Sequence, residues 1–367
     1  MSRLKIFPFS NRKEKNLVSV SLRCLSIVAV GLLTASCEED LSVKESEFSR
    51  SLVPGKYILE AKEGWWNWGM APIYDEKGKL HIFNSSIPND GTWSSHSIIN
   101  HYVADSVEGP YTFVGTPFES DEKTYHNPQI SKVGDTYVLV YLTRYHERAG
   151  AMQEVEIATA KSLDGPWVES PHNPVIPASG KMYGATIVHA SNPTFVVTPE
   201  GEYRIYFKSM TDKYGGRGQR EISLATSSSI EGPYDNYDGN PLISYADEGV
   251  DLEDPYAFYY NGLYYMIVED RTGVANLLEG ISEEVRPGGF RPGLIYTSED
   301  GIDWGIPEIG YKTNEIYFGD ELARSERPSI LWKDGEPEYL FLACHDDKPS
   351  AGYYLKIDGW DAESNEQ

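Results

Sequence analysis

The sequence predicts an all-β fold, a five-bladed β-propeller with four-stranded blades around a central funnel. Three observations predict it. First, a proline-led hairpin recurs five times, with Pro72, Pro128, Pro193, Pro255 and Pro328 standing 56, 65, 62 and 73 residues apart. Second, another signature follows in phase: ADSVEGPY (Ala104 to Tyr111), AKSLDGPW (Ala160 to Trp167), TSSSIEGPY (Thr226 to Tyr234) and TSEDGIDW (Thr297 to Trp304). Third, no long apolar stripe of period 3.6 marks a helix. Repeats of about 60 residues, each with about four short strands, read as propeller blades. A β-sandwich with coincidental turns is the alternative. Two independent signatures recurring in phase argue against it.

The chain opens on a segment outside that fold. Arg3, Lys5, Arg12, Lys13 and Lys15 form a basic region, and an apolar stretch runs from Leu25 to Leu33. Residues 1–36 therefore read as a signal peptide. Its ending, Leu33-Thr34-Ala35-Ser36-Cys37, resembles a bacterial lipobox, which implies lipidation of Cys37. Ordinary cleavage near Ala35 is the other reading. Glu38, Glu39 and Asp40 resemble the surface-export signal of Bacteroidota lipoproteins, and three acids can also be plain linker. The expected address is an outer-membrane lipoprotein, at the cell surface or, failing that, facing the periplasm. Residues 37–55 are expected to be a lipidated tether, with the propeller over 56–367. Arg23 makes the apolar stretch shorter than a membrane span, so the lipid would be the sole membrane attachment.

Composition narrows the function. The chain carries a net charge of −24, and removing residues 1–36 takes away six basic residues and one acid, leaving about −29. Phosphate binding needs a basic surface, so nucleic acid is excluded as a partner. Cys24 and Cys37 precede the domain and leave Cys344 alone, so no intrachain disulfide holds it. The 26 Tyr and 8 Trp suit strands and can stack on sugar rings. The domain is expected to act as a monomer.

Each blade then opens on its proline triplet. Blade one has Met70-Ala71-Pro72, blade two His126-Asn127-Pro128 and blade three Ser191-Asn192-Pro193. Blade four has Glu253-Asp254-Pro255, followed by an aromatic run, an Asn261-Gly262 turn and a second strand from Leu263. Asn-Gly between two β-rich runs is a strong hairpin signal. Blade five has Glu326-Arg327-Pro328. Closure is expected to pair Tyr57-Ile58-Leu59 with Tyr353 to Ile357. A proline at a strand start breaks no ladder bond. Five such starts converge on one axis, so the residues before the prolines should face one another across the funnel. The set is polar in four blades of five. Capping of neighbouring blades, or binding of waters or an axial ion, is the structural alternative for each.

Five blades whose hairpins open on Asp-Pro or similar triplets resemble the glycoside hydrolases of families 43 and 117. Glu253-Asp254-Pro255 and Ser325-Glu326-Arg327-Pro328 carry the resemblance best. It covers nearly the whole mature chain at the level of repeat pattern. It implies a carboxylate triad at the funnel and places Asp254 and Glu326 among its members. The relatives usually carry an Asp on blade one, whereas Trp65 to Pro72 offers no acid. The missing base could fall to Glu253, His126, Glu63 or Asp90.

Hydrolysis of a glycosidic bond needs one protonated acid and one ionised carboxylate. Burial and mutual repulsion can set those states. The catalytic candidates are therefore Asp254, Glu326, Glu253 and His126. The substrate-binding candidates are Asn127, Asn192, Trp68, Tyr183, Asp270, Arg271, Arg327, His189 and His345. Trp65, Trp66 and Trp68 would stack on sugar if exposed in the funnel and form core if buried. Inserts from Tyr145 to Gln153, Asp212 to Arg220 and Thr272 to Pro292 should wall the pocket. The Lys213–Arg220 stretch KYGGRGQR lacks the ending and helix of a phosphate loop. No Cys/His metal spacing is present and no cofactor is expected. A Ca2+ on the funnel carboxylates stays open. Two other functions remain: a glycan-binding lipoprotein without catalysis, and a lyase using His126 and Tyr183 on a uronic acid.

Overall fold

The computed structural model describes residues 44–60, 64–147, 152–182, 184–214, 219–277, 292–319, 325–345 and 350–360. Residues 1–43, with the expected signal peptide and Cys37, lie outside them. So do Glu63 and Tyr183.

Five antiparallel sheets form the propeller, in chain order except at the join. Strand β1 (Leu52–Ile58) comes first. Blade one is β2 (Trp65–Tyr74), β3 (Leu80–Pro88), β4 (Ile98–Ala104) and β5 (Thr112–Gly115). Blade two is β6 (Lys123–Val133), β7 (Thr136–Tyr145), β8 (Glu154–Ala160) and β9 (Val168–Glu169). Blade three gains a short extra strand: β10 (Lys181–Met182), β11 (Ala185–Val197), β12 (Tyr203–Thr211), β13 (Glu221–Ser227) and β14 (Asp235–Asn236). Blade four is β15 (Leu252–Tyr260), β16 (Leu263–Asp270), β17 (Gly293–Ser298) and β18 (Glu308–Tyr311). Blade five is β19 (Glu326–Lys333), β20 (Glu336–His345) and β21 (Ser350–Ile357), completed by β1 on the outside.

That join is the expected closure, with Tyr57 opposite Tyr353, Ile58 opposite Gly352 and Leu52 opposite Ile357. Packing begins upstream of the boundary drawn at residue 55. Helix α1 (Glu47–Arg50) buries Phe48, whose ring meets Trp360 edge-on at 4.9 Å. Ser46 Oγ donates to the Ile309 carbonyl at 2.6 Å. The aromatic Phe48 in an otherwise polar run was the available signal.

The core is five seams. Apolar clusters lie between blades one and two (Phe83, Tyr125, Leu139), two and three (Val140, Ile187, Phe207), and three and four (Tyr206, Leu252, Met266). They continue between four and five (Tyr256, Leu340, Tyr353) and between five and one (Phe341, Leu331, Ile82). Each fully buried large side chain contributes about 1.5–3 kcal/mol by leaving water. The turns follow their residues. Asn261 and Gly262 take φ of 49° and 87°, the tight hairpin conformation that Asn-Gly favours. In the Gly-Pro-aromatic signature Gly109 and Gly232 sit at φ 82° and 88°, while Tyr234 Oη donates back to the Ile230 carbonyl at 3.0 Å.

One backbone device recurs five times and builds the funnel. Each inner strand is bulged: between Trp68 and Met70, His126 and Gln129, Ser191 and Thr194, Glu253 and Tyr256, and Glu326 and Ser329. At each bulge one residue turns left-handed: Gly69, Asn127, Asn192, Asp254 and Arg327, with φ of 52°, 51°, 53°, 57° and 56°. A bulge re-aims side chains next to functional sites. The register of blade one therefore differs from the expected one. Its matching pair is Trp68-Gly69, not Met70-Ala71. Proline was the phase marker, and in blade one Pro72 stands two residues further along. Glycine takes a positive φ without the cost of a Cβ, so this bulge forms with no proline beside it.

Candidate active site

The bulges aim their side chains into a cavity of about 250 Å3 at one mouth of the funnel. From the expected set it is lined by His126, Asn127, Asn192, Trp68, Glu253, Asp254, Arg271 and Glu326. Arg327 lies beneath it as a ring member. Asn127 Nδ2 donates to Asn192 Oδ1 at 2.9 Å, and Asn192 Nδ2 donates in turn to Asp254 Oδ1. Arg327 donates its backbone N–H to Asp254 Oδ2 at 2.9 Å and Nη1 to Asp254 Oδ1 at 3.4 Å. Its Nη2 crosses to the Asn127 carbonyl at 3.4 Å. A Cβ placed on Gly69 would stand 3.2 Å from Asn127 Oδ1 and 3.5 Å from Arg327 Cγ. The five left-handed residues thus close into one ring, and Arg327 spans the axis. Beyond it, at the other mouth, a second cavity of about 620 Å3 is lined by Ile130, Phe195 and Trp332 among others.

Two carboxylate environments meet in the upper cavity. Glu253 bonds Lys208 Nζ, with Arg220 Nε at 3.1 Å and Arg271 Nε at 3.3 Å from its Oε2. Burial alone would raise its pKa, but Lys208, Arg220 and Arg271 outweigh burial and hold it at about 2. It is ionised at any ordinary pH. The second environment is a cluster. Asp254, Glu269 and Glu326 each offer an oxygen within 4.8 Å of the others. Glu269 is buried, and its Oε2 has no hydrogen-bond partner. Burial, then the charges of Glu326, Glu253 and Asp254, push it well above the usual carboxylate range. Burial also raises Asp254, with Arg327 opposing and the Glu253 charge adding. Such a cluster could equally hold a small cation, as left open for Ca2+.

Burial and nearby cations hold two of the candidate histidines neutral. His126 accepts or donates at Nδ1 with Ser97 Oγ at 2.7 Å and stacks on Trp93, centroids 5.4 Å apart. Burial, then Arg327 and Lys208, push it down to about 3. At neutral pH it is an uncharged imidazole, suited to hydrogen bonding. His189 stands outside the lining, where its Nδ1 accepts from the Gln153 backbone N–H at 3.3 Å. Burial and the charges of Lys208, Arg220 and Arg144 hold it at about 4.

Other expected residues are placed elsewhere. Asp270 is turned away. Its carboxylate accepts the backbone N–H groups of Gly273 and Val274, each at 2.7 Å, and of Ala275 at 3.0 Å. Strand side chains alternate between faces, so on β16 it is Glu269, opposite Glu253, that faces the funnel while Asp270 does not. His345 ends β20 and its side chain lies outside the described residues. Asp90 is exposed and does not line the cavity. Of the tryptophans, Trp66 and Trp68 line it and Trp65 does not.

Sequence reasoning missed Lys208, Glu269 and Trp93 and named Arg220 only as the end of an insert. Two of these were within reach. The residues opposite the pre-bulge positions are Ser85, Leu142, Lys208, Glu269 and Ala343, one per blade. Phasing the second strands as the first were phased marks Lys208 and Glu269. Trp93 sits on the short helix α2 (Trp93–His96), which no repeat predicts. Gln153 and Arg220 line the cavity from two of the three inserts expected to wall it.

No protein-family model matches the chain. It is 28% identical over 191 residues to the arabinan endo-1,5-alpha-L-arabinosidase A of Aspergillus niger, a match covering 48% of this chain and 54% of that protein. The chain thus spans about half the length of the curated relatives it matches. Among solved structures it is similar to a family 117 glycoside hydrolase produced by the marine bacterium Zobellia galactanivorans, with TM-score 0.59 and 16% identity over 85% of this chain and 93% of that one. It is also similar to an alpha-L-arabinofuranosidase from Podospora anserina, with TM-score 0.55 and 13% identity over 86% and 97%. The chain has the five-bladed propeller fold found in these glycoside hydrolases.

Proposed function

We propose that the protein is a glycoside hydrolase that cleaves oligosaccharides released from a plant or algal polysaccharide. One observation carries the reading: neighbouring carboxylates at one mouth of the funnel are pushed in opposite directions. Glu253 is kept ionised by three cations, while in the Asp254–Glu269–Glu326 cluster burial and the neighbouring carboxylate charges raise Glu269 and so favour its protonated form. Acid and base assignments in such sites follow from environments that push carboxyl pKa values apart. Glu253 is the base or nucleophile. Glu326, the cavity-facing glutamate of the cluster, delivers the proton to the leaving oxygen, with Glu269 behind it. Asp254 accepts from Asn192 and from the Arg327 backbone N–H and positions Arg327 and the ring. Trp66, Trp68 and Trp93 offer faces for sugar rings. The blade-one acid is then not required, because Glu253 takes its part.

The arabinan-cleaving relatives make arabinose-bearing oligosaccharides the first substrates to try, followed by other plant and algal oligosaccharides. Product analysis should show a shorter sugar with a new reducing end. A second reading rests on blade one, whose bulge carries Trp68-Gly69 and no acid: a glycan-binding protein without turnover. Saturable binding with no product after long incubation would establish that reading and end the first. Products absorbing as unsaturated uronates would point to a lyase instead. We also propose that residues 1–37 address the protein to the outer membrane as a lipoprotein. Labelling with a radioactive fatty acid, lost in Cys37→Ser, tests it.

A further inference from the structure

At the opposite end of blade one from the candidate active site, two buried histidines meet. His81 on β3 and His101 on β4 are 6% and 3% exposed. His81 Nδ1 and His101 Nε2 are 2.8 Å apart, with ring centroids at 5.0 Å. Phe83 stacks on the His101 ring at 4.4 Å. Asp164, on the Gly-Pro turn of blade two, completes a set in which each residue offers one ligand atom within 4.8 Å of the others. Asp164 is exposed, so the set has an opening to solvent.

A hydrogen bond between the imidazoles does not account for all of this. His81 Nε2 is buried and has no hydrogen-bond partner. It faces Asp75 Oδ2 at 3.8 Å. That carboxylate is fixed, because its Oδ1 accepts the N–H groups of Lys77 at 2.9 Å and Lys79 at 2.7 Å. An imidazole with one nitrogen toward a shared point and the other toward a held carboxylate is the usual arrangement of a metal-ligating histidine.

We propose that His81, His101 and Asp164 bind a borderline divalent transition metal, Zn2+ in preference to Ca2+ or Mg2+. The metal takes the place of the hydrogen between the two nitrogens, which passes through solvent to the far nitrogen of the ring that carried it. His81 binds through Nδ1 and keeps its hydrogen on Nε2 toward Asp75. His101 binds through Nε2 and carries its hydrogen on Nδ1. Zn–N bonds of about 2.0–2.1 Å in a tetrahedral site need the nitrogens about 3.3 Å apart, an opening of about 0.5 Å. Water fills the fourth position. Two imidazoles and a carboxylate suit zinc, whereas the hard cations prefer oxygen-only sets. No sequence spacing marks the site, because its ligands come from two strands and a neighbouring blade. The ion would staple blade one to blade two.

Titrating chelator-treated protein with ZnCl2 by calorimetry should give one ion per chain and a rise in Tm. Ca2+ should do neither. Asp164→Asn, at an exposed position, should weaken Zn2+ at least about tenfold, and His101→Gln should abolish binding. Co2+ should give the visible bands of a four- or five-coordinate site in the wild type and lose them in Asp164→Asn. The absence of stoichiometric Zn2+ binding in the wild type would overturn the proposal. So would unchanged affinity and Co2+ spectrum in Asp164→Asn, which stand as readouts even if His101→Gln fails to fold.

Discussion

The bulges of blades four and one are the same backbone feature with opposite contents. In blade four the left-handed residue is Asp254, flanked by Glu253 and backed by Glu269. In blade one it is Gly69, flanked by Trp68 and backed by Ser85. The bulge sets where a side chain points and leaves its chemistry free. One blade can therefore supply charge and another an aromatic wall without change to the ring. An acid absent from one blade does not imply a lost activity, since its role can pass to another blade at the same height.

The largest effect should come from the charged side of this contrast. Glu326→Gln removes the proposed proton donor and should lower kcat by about 10²–10⁴-fold, in line with general acid catalysis. Circular dichroism should show the fold retained. Activity near the wild-type level would move the chemistry away from blades four and five. Next, Lys208→Met takes one cation from Glu253. Its pKa should rise by on the order of one unit, and the acid limb of the kcat/KM profile should move to higher pH. The smallest mutational effect belongs to blade one. Gly69→Ala forces a Cβ into the left-handed region and against Asn127, so stability should fall by about 1–2 kcal/mol in urea titration. A neutral outcome would show that blade one's bulge tolerates a side chain as blade four's does.

The pH dependence of folding can separate the two carboxylate environments. Glu253 is lowered from 4.5 to about 2, so its stabilising contribution is present above pH 4.5 and is lost as pH falls toward 2. Glu269 is raised, so its contribution is full below 4.5 and declines as pH rises through its folded value. Denaturation midpoints of Glu253→Gln and Glu269→Gln should therefore diverge from the wild type at different ends. Glu253→Gln should lose the acid-side slope, and Glu269→Gln should flatten the alkaline side.

The blades were legible in the sequence because their signals are local. Proline at a strand start, Asn261-Gly262 at a turn and Gly-Pro-aromatic after a strand each constrain only a few residues. The closure was legible too, since the last blade lacked an outer strand and Tyr57 to Leu59 could provide one. What failed was phase. Proline marks four bulges but only neighbours the fifth, so Trp68-Gly69 was passed over for Met70-Ala71. Asp270 was chosen over Glu269 because the antiparallel hairpin brings the end of its second strand near Asp254, whereas facing is decided by alternation along β16. Lys208 was missed because its partner Glu253 is 45 residues away. The histidines' protonation states depend on burial and on Arg327 and Lys208, which converge only in three dimensions.

The join between β1 and β21 has a consequence in time. Leu52 pairs with Ile357, so the first strand made waits for the last. At about 5–20 residues per second, synthesis of the roughly 300 residues between them takes about 15–60 s. Through that interval β1 is a strand without a neighbour, and such edges recruit the wrong partners. Its sequence, LVPGKYI, interrupts the apolar run with Pro54, Gly55 and Lys56, residues that discourage pairing with another chain. The same residues guard the finished molecule, where β1 remains the outer edge of blade five.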